Sequence, residues 1–132
     1  MVLITTEKGI AKMDEKRTVD ELKHRVQCFC EERDWDQFHN PKDLAIGIST
    51  EANELLDIFR FKSEEQMMQI FLDNQKREHV EEEIADTLFF ILRFAQMNHI
   101  DLAKAIDDKI EKNSKKYPVE KVKGKNLKYN EI

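Results

Sequence analysis

The 132-residue sequence predicts an all-α protein, a four-helix-bundle-type fold with one short additional helix. Three observations carry this expectation. Only 3 Gly and 2 Pro interrupt the chain, too few for an ordinary set of β-turns. Charged residues make up 37% of it, against about 25% in an average globular protein. The hydrophobic fraction, 40%, still suffices for one packed core, so chain-wide disorder is not expected.

The elements follow in chain order. Residues 1–17 show no sustained periodicity and read as a flexible N-terminal arm. Thr18 and Glu21 form a capping box opening a first helix, with Val19, Leu22, Val26 and Phe29 on one face. The pattern breaks over residues 33–39, which places the single Trp, Trp35, in a loop. Asn40 followed by Pro41 starts a second helix over residues 41–60. Ser63 and Gln66 form another capping box before a short Met-rich helix, residues 64–72. A polar break at residues 73–75 precedes a long helix over residues 76–98. Asp101 caps a final helix that ends near Lys116, where Tyr117-Pro118 stops it. The helical domain therefore spans residues 18–118. Residues 119–132, with Gly124 and four Lys, read as an extended tail packing on the domain or on a neighbouring subunit.

Charge and composition exclude several classes. A net charge of −5 argues against general binding to nucleic acid or anionic membranes. No apolar run approaches the roughly 20 residues needed to span a bilayer. The start, MVLITTEKGI, lacks a secretory pattern, so a cytoplasmic location is expected. Cys28 and Cys30 stand about 200° apart on a helix and cannot bridge each other.

Two helices carry acidic residues where a core is expected. On the second, Leu44, Ala45, Ile48, Ala52, Leu55, Leu56 and Phe59 fill an apolar arc. Glu51 falls between Leu44 and Ile58 in projection, and Glu54 lies about 40° beyond Ile58. Gly47, one turn earlier, removes bulk at a cost of roughly 1 kcal/mol in helix propensity. On the long helix, Val80, Ile84, Leu88, Ile91 and Ala95 form the expected core stripe. Glu83 and Asp86 lie on a second stripe that continues through Phe90, Phe94 and Met97 and so faces another helix. Desolvated carboxylates cost several kcal/mol each unless compensated, and apart from Lys76, Arg93 and Lys42 at the ends these stripes supply no cation. Four oxygen donors converging from two helices suit a hard divalent cation, Mg²⁺ with Mn²⁺ as a substitute. Spacing alone does not separate Glu83 from Glu82, and with 27 acidic residues such pairs also arise by chance as solvated charges. A di-iron centre needs two Glu-x-x-His pairs, and only Glu21-x-x-His24 exists. Zinc would want clustered Cys and His.

Glu51-Ala52-Asn53-Glu54 followed by Glu83-Ile84-Ala85-Asp86 resembles the signature of the all-α nucleoside triphosphate pyrophosphohydrolases, the MazG-like superfamily. Residues 32–41, the Phe61-Lys62-Ser63 corner, residues 112–119 and the closing Lys128-Tyr129 are similar to its dCTP pyrophosphatase branch. The resemblance covers roughly residues 22–132. It implies a MazG-like fold and Mg²⁺-dependent cleavage of a nucleoside triphosphate between its α and β phosphates. It implies metal ligands Glu51, Glu54, Glu83 and Asp86, with Glu51 or Glu54 orienting the attacking water. By match, Asn113, Lys116 and Tyr117 become candidates for phosphate or sugar binding, against the plainer reading of a helix C-terminus carrying favourable Lys. Trp35 and His39 match a loop that helps enclose the base, where Trp35 could instead simply anchor the loop. Three positions depart from the dCTP pyrophosphatase pattern: Val26 stands for a His, Phe61 for a Trp and Phe90 for a Tyr. Phe61 and Phe90 keep stacking area at the substrate site but lose a donor each. Hydrolysis is therefore better supported than the choice of base, which leaves dCTP or a modified, non-canonical nucleotide. The resemblance also implies a homotetramer, or a dimer, with pockets built across subunits. The rival expectation is a catalytically silent helical module that binds metal or a protein partner.

Overall fold

The computed structural model describes residues 12–132. The described residues are helical, without strands. The helices are α1 (Met13–Lys16), α2 (Val19–Glu32), α3 (Pro41–Phe59), α4 (Glu64–Leu72), α5 (Asn74–Met97), α6 (Leu102–Lys116) and α7 (Val119–Val122). Single 3₁₀ turns lie at Asp36–Phe38 and Tyr129–Glu131. The chain divides into two compact units, one ending at Asn98 and one spanning His99–Ile132, so the break falls inside the helical domain the sequence predicts.

The start signals are where the sequence places them. Thr18, Asn40, Ser63 and Asp101 each accept a hydrogen bond from the backbone N–H three residues on. Ser63 and Gln66 form the full reciprocal box, whereas the Thr18 hydroxyl donates to the Glu21 side chain, so that box is only half made. The polar break predicted over residues 73–75 shrinks to one residue. Asp73 ends α4 and its side chain accepts from the Lys76 N–H, so α5 starts at Asn74. Of the arm predicted over residues 1–17, residues 1–11 lie outside the described residues, and Met13–Lys16 form one exposed turn of helix. The tail is not uniformly extended, since α7 and a 3₁₀ turn fall within it.

In the first unit α5 is the common partner, packed on by α2, α3 and α4. The core is Cys30, Leu44, Ile70, Val80, Leu92 and Ala95. Two expected core stripes are only partly buried. Ile84 and Leu88 on α5 are exposed, as are Ala45, Ala52 and Leu56 on α3. The apolar arcs are wider than the surface that neighbours within this chain cover, which helical periodicity alone does not show. Cys28 and Cys30 are free thiols.

A carboxylate cluster between two helices

Helical phase brings the two acidic pairs together. Glu51 and Glu54 stand one turn apart on α3, and Glu83 and Asp86 one turn apart on the facing wall of α5. Carboxylate oxygens of Glu51, Glu83 and Asp86 all lie within 4.8 Å of one another. Glu54 adjoins both Glu51 and Glu83 and acts electrostatically on each. Glu82 is exposed and Glu83 only 9% exposed, which resolves the choice that spacing left open.

The electrostatics follow from this crowding. Burial first, and then the adjacent Glu54, raises the Glu51 and Glu83 carboxyls above the ordinary range. A ring nitrogen is near: His79 Nδ1 stands 3.7 Å from Glu83 Oε1. The other oxygen, Glu83 Oε2, is buried without a hydrogen-bond partner. A partnerless buried carboxylate oxygen amid three further carboxylates fits a hard divalent cation, and the donor set is all oxygen.

Glu54 and Glu83 also line a cleft of about 930 Å³ among α3, α4 and the start of α5. Arg60, Lys62, Lys76 and His79 share that lining. Acidic and basic side chains thus meet in one cavity. Sequence reading noted Lys76, and Lys62 only as part of the Phe61-Lys62-Ser63 corner, but missed Arg60 and His79; the i, i+4 spacing of His79 and Glu83 was the available signal for the latter. Between Arg60 and Lys62, Phe61 adopts a left-handed backbone (φ 61°) and is 88% exposed. The Arg60 guanidinium lies 4.6 Å from its ring centre.

The 33–39 loop is built by a helix cap. Arg33 ends α2, Asp34 is left-handed (φ 54°), and the Asp34 and Trp35 N–H groups return to the Glu31 and Cys30 carbonyls at 3.0 Å each. This is a Schellman motif with Asp in place of the usual Gly. It delivers Trp35 against Phe29 (5.6 Å between ring centres) and His39 (6.1 Å), with Phe89 behind Phe29 at 5.7 Å. Arg93, 1% exposed, bonds His39, Asp36 and Gln96. Sequence reading placed Arg93 at the end of the acidic stripe and did not anticipate that it turns inward on the loop. Phe90 packs over Gly47 and edge-on to Phe89.

Asn113, Lys116 and Tyr117 belong to the second unit. Asn113 and Tyr117 are half-buried, and the Tyr117 N–H caps the Asn113 carbonyl at 2.8 Å. Lys116 Nζ lies 3.9 Å from the ring centre of Tyr129. Within that unit, the closing Lys128-Tyr129 segment therefore folds back on the end of α6.

An all-α enzyme of the pyrophosphohydrolase class joins this fold to this pairing of carboxylates. Residues 46–132 match the MazG-like family, and the chain belongs to that family. It is 30% identical over 115 residues to dCTP pyrophosphatase 1 of Rattus norvegicus, covering 87% of this chain and 68% of that one. With dCTP pyrophosphatase 1 of Bos taurus it shares 29% identity over 128 residues, 97% of this chain and 76% of the relative. Among solved structures, a pyrophosphatase from Archaeoglobus fulgidus superposes with a TM-score of 0.69 at 37% identity. That match covers 75% of this chain and 91% of the other.

Proposed function

We propose that this enzyme hydrolyses a nucleoside triphosphate between the α and β phosphates, releasing the monophosphate and pyrophosphate, with Mg²⁺ held by Glu51, Glu54, Glu83 and Asp86. The observation that carries the reading is the clustering of Glu51, Glu83 and Asp86, with Glu83 Oε2 unpartnered, at a cleft that Glu54 and Glu83 line together with Arg60, Lys62 and Lys76. An acidic pocket alone would repel a triphosphate, so substrate binding requires the metal. Bound Mg²⁺ supplies charge neutralisation for the phosphate oxygens as negative charge grows on them. The protein's part is positional. Glu83, buried and fixed on α5, anchors the cluster. Glu51, whose carboxyl is raised, or the more exposed Glu54 orients the attacking water and accepts its proton. Arg60, Lys62 and Lys76 hold the pyrophosphate side of the chain by charge.

The substrate in this reading is dCTP or a modified, non-canonical nucleotide, a house-cleaning task, by likeness to the dCTP pyrophosphatases. Trp35, His39, Phe61 and Phe90 supply the base surface, and Asn113, Lys116 and Tyr117 the phosphate or sugar contacts. A cytoplasmic homotetramer, or a dimer, completes it. The exposed Ile46, Leu56, Ile84 and Leu88 offer apolar surface for such assembly. No described helix is long and apolar enough to cross a membrane.

The test incubates purified protein with Mg²⁺ and a panel of nucleoside triphosphates and resolves the products by ion exchange, beside Glu54→Gln and Asp86→Asn. Monophosphate and pyrophosphate, absent in both variants, are expected. Diphosphate with phosphate would mean a different bond is cut. No turnover by a folded protein would favour the silent module.

A further inference from the structure

We propose that Arg93 is a positioning residue for nucleotide binding: it clamps the 35–39 loop to α5 and fixes His39 as a hydrogen-bond donor through Nε2. The substrate side of this inference rests on the pyrophosphohydrolase reading; the geometry does not. Arg93 Nε donates to His39 Nδ1 at 3.0 Å, Nη1 donates to Gln96 Oε1 at 2.7 Å, and Nη2 pairs with the Asp36 carboxylate. The bonds to His39 and Asp36 join segments 54 and 57 residues apart, so they fasten the loop to the central helix rather than reinforce a local turn.

The tautomer follows from the donor inventory. Arginine has only donors and keeps its proton. His39 Nδ1 must then present its lone pair, and the ring proton sits on Nε2, turned away from the guanidinium. A doubly protonated ring would set N–H against N–H, so the ring is held neutral. Burial and the Arg93 charge lower its proton affinity, with Asp36 opposing. A buried guanidinium is costly unless every side of it is bonded, and an apolar side chain would fill this place on α5 as well. What Arg93 adds is a loop of fixed geometry and a histidine of fixed polarity.

The placement gives that donor a use. Arg93 is seven residues beyond Asp86, two turns of α5 and about 10 Å along the same face. A nucleotide spans a comparable distance from its α-phosphate to its base. Trp35 offers an aromatic surface beside His39. A neutral imidazole protonated on Nε2 selects an acceptor, such as a carbonyl oxygen or unprotonated ring nitrogen on a base edge, and refuses a protonated ring nitrogen there.

The experiment uses full-length protein labelled with ¹⁵N-histidine, read by long-range ¹H–¹⁵N correlation without substrate, with His39→Gln to assign the signal. The wild type is expected to show unprotonated Nδ1 and protonated Nε2 across about pH 6–8, and Arg93→Met to show mixed tautomers that titrate in that window. In steady-state assays with Mg²⁺ and dCTP, Arg93→Met is expected to raise KM about 10-fold or more while kcat stays within about two-fold. Should Arg93→Met not fold, Asp36→Asn keeps the guanidinium buried but loosens the loop, and a smaller KM rise of about three-fold is expected. A wild-type His39 protonated on Nδ1 would overturn the proposal. So would loss of the fixed tautomer with KM unchanged. Absence of turnover in the wild type would instead sink the pyrophosphohydrolase reading, while the substrate-free spectrum still decides the clamp.

Discussion

Gly47 on α3 lies directly against the ring of Phe90 on α5: a Cβ at position 47 would stand 2.7 Å from Phe90 Cδ1 and 2.9 Å from Cγ. The contact includes the ring's root as well as its edge, so turning the ring about the Cβ–Cγ bond does not relieve it. Alanine favours a helix over glycine by about 1 kcal/mol, whereas overpacking typically costs about 1–3 kcal/mol. Gly47→Ala is therefore expected to destabilise by up to about 2 kcal/mol in chemical denaturation and to spread α3 from α5. Activity should fall more than stability, because Glu51 rides on α3 one turn after Gly47.

Glu83→Gln separates stability from catalysis. Neutralising the most buried member of a crowded carboxylate set removes like-charge repulsion. The metal-free variant should melt a few degrees above the wild type, while Mg²⁺ no longer raises its Tm. Turnover is expected to drop at least about 100-fold. A variant that melts lower and still responds to Mg²⁺ would show that Glu83 holds the fold and not the ion.

The pH dependence of the metal effect has a definite sign. Folding raises the proton affinity of Glu51 and Glu83 above their unfolded value near 4.5. Their contribution to stability is thus present below that value and lost as pH rises through the raised ones. His39 works oppositely, since its lowered affinity removes stability as pH falls through its unfolded value near 6.5. The Mg²⁺-induced rise in Tm isolates the carboxylates. It should shrink as pH falls from 7.5 through the raised values of Glu51 and Glu83, because protons then compete with the ion. A shift independent of pH would place the metal elsewhere.

Phe61 stands 88% exposed on a left-handed backbone, a costly arrangement for a large aromatic. Stacking on a base is worth about 1–3 kcal/mol. Phe61→Ala is expected to raise KM for the nucleotide by about 5- to 100-fold with little change in Tm. An unchanged KM would remove Phe61 from the base site.

Thiol chemistry offers a simple check of the packing. Cys30 is fully buried, and burial raises its thiol above the ordinary range, while Cys28 is half-buried. An aromatic disulfide reagent should titrate one thiol in the native protein and two in denaturant. Two rapid native reactions would contradict the burial of α2 on α5.

What was readable in the sequence was mostly local. Asn40, Ser63 and Asp101 announce helix starts because a cap is a short-range bond between neighbours in the chain. The acidic pairs were legible for a related reason: i, i+3 carboxylates beside apolar residues have one plausible facing partner, and α3 meets α5 as that requires. Arg93 was not legible. Its partners lie 54 and 57 residues away, and nothing in the phase of α5 marks position 93 as turning toward a loop. Ile84 and Leu88 failed in the other direction, being apolar and correctly phased yet left exposed by the described residues.

Asp73 closes α4 and opens α5 in a single residue. The joint has no slack. One inserted residue there would turn α4 by about 100° around its axis relative to α5, swinging Ile70 out of the core and away from the cleft wall it lines. Chains that vary in length around this cavity must therefore do so elsewhere, such as between α3 and α4, where residues 60–63 connect the helices. The cleft can change its outer rim by insertion while the step between its last two walls keeps a fixed count.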